Sequence, residues 1–168
     1  NHSLSLAKGD AIQWLDADDL LGERKLEAQL ELLQQNPLCL IASKWRRFAG
    51  DLTNQWPEEQ GAWGHVPDQS SPKDWLLAER MTCSHSWLGS RQLFESIQPW
   101  DESLLINQDG EYFTRAIVAS AGVIFEPQSR VYYRSELHGS VSQFKPHKAP
   151  SLFASVESFE QAVLQLGN

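Results

Sequence analysis

Long apolar runs are missing from this chain. No stretch approaches the roughly 20 residues that span a bilayer, and the opening NHSLSLAKGD lacks the apolar core that a secretion signal carries. The default expectation is a cytoplasmic setting with no membrane span. Cysteine is scarce too: Cys39 and Cys83 are the two in 168 residues. They are too few and too far apart for a disulfide framework or a zinc site, so both read as packed thiols. Positive charge is the third shortage, with 14 Lys and Arg against 22 Asp and Glu and a net charge of -8. Non-specific nucleic-acid binding needs a positive surface that displaces counterions from phosphates. The one basic cluster, Lys44-Trp45-Arg46-Arg47, is too small to supply it, and no nucleic-acid partner is expected.

What is present is the composition of a folded domain, 41% apolar and 21% charged, long enough to bury a core. Seven tryptophans stand at 14, 45, 56, 63, 75, 87 and 100. Indole rings stack on sugar faces, but they fill cores more often, and the core reading is preferred for any one of them.

The pattern is mixed α/β. AIQWL (11–15) reads as a buried strand that ends in LDADD, and a helix follows through Leu26, Leu30 and Leu33 until Asn36-Pro37. LCLIASKWRRFA (38–49) reads as a strand or a pair of short ones. Residues 50–72 hold glycine, proline and polar residues without a period and read as a long loop. Pro72 opens a short helix, 81–90 reads as extended, and RQLFESI as another short helix. A helix is expected over about 109–120, then VIFEP and RVYYR as two strands joined by a turn at 127–129. In the tail, Leu152, Val156, Phe159, Val163 and Leu166 form an apolar helical stripe that needs a partner surface. The expected organisation is a main unit over 1–145 with a helix, 146–168, docked on it.

Two acidic groups carry the chemistry. Three aspartates, Asp16, Asp18 and Asp19, crowd the end of the first strand, and like charges so close repel unless something pairs with them. Side chains alternate along an extended segment, so Asp16 and Asp18 share a side. Such a pair can hold Mg²⁺ or Mn²⁺ and leave positions for phosphate oxygens. The competing reading is that Asp18 or Asp19 caps the helix beyond Gly22. The second group is Asp109 and Glu111 at a predicted helix start. It is either a cap that complements the helix dipole or a general base able to reach a substrate hydroxyl. Local pattern leaves both choices open.

Together the two groups resemble a family. Asn1, Gly9, Leu15, Asp16, Asp18, Asp19, Lys25, Leu26 and Gln29 are similar to a motif run of glycosyltransferase family 2 domains of GT-A fold. Trp100, Asp101, Glu102, Leu104, Asp109, Glu111 and Arg115 resemble its acceptor-side region. Tyr133, Arg134, His138, Ser140 and Ser142 resemble the strand that follows. The similarity covers residues 1 to about 142, and 50–80 matches poorly.

The resemblance implies a partial GT-A mixed sheet flanked by helices, lacking the N-terminal half that cradles the base. It implies metal-dependent, inverting transfer from a nucleotide-sugar donor to a glycan or other hydroxyl acceptor. Asp16 and Asp18 would take a Mg²⁺ or Mn²⁺ ion and the donor, with Asp18 the more direct metal ligand. Asp109 would be the catalytic base, Arg134 and His138 would contact the donor diphosphate, and Trp100, Asp101 and Glu111 would lie on the acceptor side. With half of the donor site absent, the chain is expected to be a truncated fragment with little activity alone. The rivals are a non-catalytic carbohydrate- or partner-binding module and a fragment that self-associates through an exposed sheet edge.

Overall fold

A computed structural model describes residues 1–55, 66–78, 80, 82–135 and 143–167. Trp56, Trp63 and His138 lie outside the described residues. The described part is a mixed α/β sheet covered by helices. In chain order it runs α1 (His2–Leu6), β1 (Ala11–Gln13), β2 (Leu20–Leu21), α2 (Lys25–Gln35), β3 (Leu40–Ala49), β4 (Asp51–Gln55), β5 (Gln69–Ser70) and α3 (Pro72–Leu77). There follow β6 (Leu88–Ser90), α4 (Arg91–Glu95), α5 (Gln108–Ala119), β7 (Val123–Arg134) and α6 (Ala149–Gln165). The sheet order is β1-β6-β3-β7-β2, with β4 beside β3 and β5 beside β7. The long central pair β3 and β7 is parallel, and the other pairings are antiparallel.

Alternation along the central strands explains the two helical layers. Leu40 and Ala42 of β3, with Val123 and Phe125 of β7, enter one core beside Trp75, Trp87, Phe94 and Phe113. Ile41 and Ile124, one residue out of phase, join Leu33, Cys39 and Leu88 under α2. Successive strand side chains point to opposite faces, so a sheet apolar on both sides must be covered on both. The terminal edges of the sheet path are short, three residues in β1 and two in β2, which leaves little template for edge pairing between copies. Among the described residues no helix is long and apolar enough to cross a membrane.

Several local expectations are corrected. The hairpin expected at 127–129 does not form: 123–134 is one strand whose two halves both pair with β3, and residues 127–129 bulge outward between Glu126 and Arg130. The Glu126 carboxylate closes the bulge by accepting from the amides of Gln128 and Ser129. The 50–72 loop begins with β4, which turns back from β3 at Gly50, where φ is +69°. The stretch read as extended over 81–90 contains a one-turn 3-10 helix at Ser84–Ser86.

Two helices are turned from the face their apolar residues suggested, although part of each stripe still packs, Leu30 and Leu33 on α2 and Val163 and Leu166 on α6. On α2 the buried residues are Lys25, Gln29 and Leu33, while Leu26 is exposed. On α6 they are Ser151, Ser155 and Ala162, and Val156 and Phe159 remain exposed. In both cases hydrogen bonds, absent from a count of apolar spacing, set the rotation. Ser151 Oγ accepts from the Leu105 amide, Ser155 Oγ accepts from Asn107, and Ser158 Oγ donates to Glu111. α6 thus meets α5 and the turn before it through these serines, while Val163 and Leu166 pack against the larger core.

Candidate active site

The acidic cluster follows β1 directly. Asp16 and Asp18 are exposed, whereas Asp19 turns inward and is buried. One Asp19 oxygen accepts from the Arg134 amide at 2.7 Å, which ties the cluster to the end of β7. Its other oxygen, Oδ2, lies 3.1 Å from His85 Nδ1 without meeting hydrogen-bond geometry. Asp16 Oδ2 accepts from Ser84 Oγ at 3.3 Å. Asp16, Asp19 and His85 thus present one ligand atom each within 4.8 Å of one another. Asp18 is not in this group; its backbone carbonyl accepts from Arg134 Nε at 2.8 Å.

His85 was not singled out in the sequence, because a lone histidine in MTCSHSWLGS carries no pattern. The structure assigns its place through the buried polar face of α2. Lys25 Nζ donates to Gln13 Oε1, and Gln13 Nε2 donates to the His85 carbonyl at 3.1 Å. Gln29 Nε2 donates to the carbonyls of Ile41 (3.2 Å) and Ser86 (3.1 Å), and Ser43 Oγ also donates to Ser86. These bonds hold the 84–86 turn under the acidic cluster. Burial pushes Asp19 up to about 6, with the charges of Asp18 and Asp16 adding to the rise and the amide and charge of Arg134 opposing it. It also pushes His85 down to about 4, reinforced by the charge of Lys25, and Lys25 itself down to about 7.

Asp109 stands in the first turn of α5, behind Asn107, which adopts the left-handed conformation (φ 58°) that asparagine tolerates. Its Oδ1 accepts from the Gly110 amide at 2.9 Å. Burial raises the Asp109 carboxyl above the usual range, and the charge of Asp16 adds to the rise. The charge of Asp16 thus reaches a carboxyl 93 residues away in the chain. Cys83 lines the same groove as Asp109, its thiol pushed up to about 12 by burial and by the charges of Asp19 and Asp109. It is a packed thiol, not a nucleophile.

Asp109 lines a groove of about 790 Å³ whose other walls are largely aromatic and aliphatic. The expected acceptor-side residues are not gathered in it. Trp100 and Asp101 line a separate pocket of about 280 Å³ with Asn1 and Trp14. Trp100 stacks on Tyr112 at 4.4 Å, and Asp101 accepts from the amide and hydroxyl of Ser103, which holds its carboxyl low. Glu111 is buried in a two-point ion pair with Arg115 (2.6 and 2.8 Å). The Arg134 guanidinium lies over Phe48 at 4.3 Å, and its Nη1 donates to the Gly50 carbonyl at 2.7 Å.

The chemistry of the donor set fits a divalent cation. Two carboxylates and an imidazole are all ligand types that divalent cations take. Asp19 Oδ2 and His85 Nδ1 are buried atoms with no hydrogen bond to satisfy them, as ligands of an ion would be.

Comparison with known proteins places these features in context. Residues 1–98 match the model of glycosyl transferase family 2. An uncharacterized glycosyltransferase of Methanocaldococcus jannaschii is 23% identical over 120 residues, 70% of this chain and 39% of that protein. The crystal structure of S. aureus TarS 1-349 in complex with UDP-GlcNAc superposes with a TM-score of 0.71 at 12% identity, covering 94% of this chain and 45% of that one. The same protein in complex with UDP gives 0.64 at 12% identity, covering 97% and 59%. The likeness to TarS carries the GT-A fold. The chain spans less than two thirds of the length of each of these relatives.

Proposed function

Because this chain belongs to glycosyl transferase family 2, we propose that it carries the catalytic side of a metal-dependent, inverting sugar transferase that uses a nucleotide-sugar donor. The observation that carries this reading is the chemistry of the two acidic groups: Asp109 lines the large groove, and Asp16 stands with the buried Asp19 and His85, one ligand atom of each within 4.8 Å of the others. The UDP and UDP-GlcNAc complexes of TarS support a nucleotide-sugar donor.

In this reading Asp109 removes the proton from the acceptor hydroxyl as it attacks the anomeric carbon in line with the departing nucleotide, which inverts the configuration. Its raised pKa makes it a better base than an exposed carboxylate. Asp16, exposed beside the buried Asp19 and His85, would hold a Mn²⁺ or Mg²⁺ ion with them, and Asp18 faces solvent where the ribose and diphosphate would arrive. The ion, when bound, neutralises charge that develops on the leaving diphosphate. Arg134, braced on backbone carbonyls, orients the Asp19 carboxylate through its amide.

In the full-length enzyme, Asp109→Asn should lower transfer by roughly 10²–10⁴-fold and leave donor affinity unchanged. Transfer assays and donor titration on the same preparation check this, and unchanged turnover would remove Asp109 from the role of base.

A further inference from the structure

Asp109 sits where α5 begins, and residues 96–107 reach it from α4 as turns and coil. Its Oδ1 accepts from the Gly110 amide, one residue away; that bond follows the turn wherever it goes and cannot aim it. The bracing comes from α6, which meets this segment with three hydroxyls on one face. Ser151 Oγ accepts from the Leu105 amide, Ser155 Oγ accepts from Asn107 Nδ2, and Ser158 Oγ donates to Glu111 Oε1, each at 3.0 Å. Ser155 is the one in line with Asp109. It is 1% exposed, and its proton is given to the Leu152 carbonyl at 2.8 Å, which fixes its oxygen as the acceptor for Asn107. Asn107 holds the left-handed conformation before α5, and its carbonyl accepts from the Glu111 amide at 3.1 Å. Its carboxamide lies over Gly110, where any Cβ would collide with it, and Gly110 carries the amide that binds the Asp109 carboxylate.

We propose that Ser155 is a positioning residue for Asp109: from α6 it holds the Asn107 carboxamide against Gly110, and so keeps the carboxylate along the groove instead of turned into water. This rests on the reading of Asp109 as the base in sugar transfer and adds the residue that aims it. The titratable groups that share the groove with Asp109 are Arg47, Arg80, Cys83 and Tyr133, and the charge of Asp16 also reaches it. From α6 the groove is lined by Leu152, Ser155, Val156 and Phe159, all uncharged. A change at Ser155 therefore acts on the Asp109 carboxyl through where it sits and how much water reaches it, not through charge.

In the full-length enzyme, Ser155→Ala should lower kcat roughly 10–100-fold, as small displacements of a reacting group do, with the donor KM unchanged. The acid limb of its kcat profile should move to lower pH, since a carboxyl let out towards water loses the burial that raises it. Asn107→Gly keeps the left-handed backbone and removes the carboxamide. It should give the same loss, and the double variant no further loss, because both changes break one path; it also carries the test should Ser155→Ala fail to fold. Ser158→Ala loosens α6 beyond Asp109 and should leave kcat and the acid limb in place. Losses that add in the double variant, an acid limb that does not move, or an equal loss in Ser158→Ala overturns the proposal. Titration of the Asp109 carboxyl by 13C NMR in the same proteins separates the positioning role from the transferase reading. A pKa lowered by Ser155→Ala in an enzyme that transfers no sugar would overturn the transferase reading and leave the positioning role standing. An unmoved titration, where Asp109→Asn abolishes transfer, would do the reverse.

Discussion

Lys25 departs further from the habits of its residue type than any other side chain near the site. It is 1% exposed and bonded to Gln13, and burial holds its ammonium down to about 7 from an ordinary 10.5. Folding therefore carries a charging cost that is absent above about pH 10.5, grows as pH falls towards 7, and is constant below that. Lys25→Met keeps the volume and removes the charge, at a constant cost for the lost bond to Gln13. The stability of the variant relative to the parent should rise by roughly 2–4 kcal/mol on going from pH 10 to pH 6. Urea titrations at pH 6, 8 and 10 measure this, and a difference that does not change with pH would contradict a strained ammonium. Lys25 and Gln29 were visible in the sequence only as letters of a family motif. Their i, i+4 spacing is ordinary for a solvated helix face, and only the packing of α2 onto the sheet reveals that this polar pair is buried beneath His85.

Elements meet at two contacts that single changes can probe. Gly22 follows β2, and its amide donates to the Arg130 carbonyl at 2.9 Å. A Cβ there would come within 2.7 Å of that same backbone oxygen, which cannot rotate away as a side chain can. Gly22→Ala should cost about 1–3 kcal/mol and accelerate amide exchange in β2 and its β7 partners, with α5 unaffected; exchange that speeds up equally everywhere would contradict a local clash. At the other contact, Glu111 of α5 accepts from Ser158 of α6 and pairs with Arg115 of its own helix, while Arg115 also donates to the carbonyls of Gln98 and Pro99. Glu111→Gln leaves Arg115 those carbonyls and should cost about 1–3 kcal/mol, a drop of several degrees in Tm. A neutral result would mean that the serine contacts alone dock α6. The bulged course of β7 belongs to this scale as well. Pro127-Gln128-Ser129 looks like a turn because its residues favour one, and the parallel pairing of both flanking halves with β3 is a long-range choice that no local preference encodes.

At the scale of the whole molecule, the question is whether Asp16, Asp19 and His85 act together. Manganese that binds only the folded chain should raise Tm by roughly 5–11 °C at a hundredfold excess over its Kd, and Asp16→Asn, an exposed substitution, should remove the rise. A melt indifferent to millimolar Mn²⁺ would take the ion out of the proposed chemistry. The class of the fold, the central strands, most of the helices and the two acidic groups were legible from the chain itself. Apolar period and capping residues act over a few positions, and the motif letters lie close together. The shared side expected of Asp16 and Asp18 came from the alternation rule for a straight strand. β1 ends at Gln13, before the aspartates, so that rule no longer governs them, and Asp19 turns inward beside His85. The sequence by itself determined which residues carry charge and which stretches become helix or strand, because those depend on side-chain chemistry and short-range spacing. Only the tertiary structure decided which carboxylates face the buried histidine, which face of α6 is left open, and that Asp109 lines the large groove, because each depends on packing between segments distant along the chain.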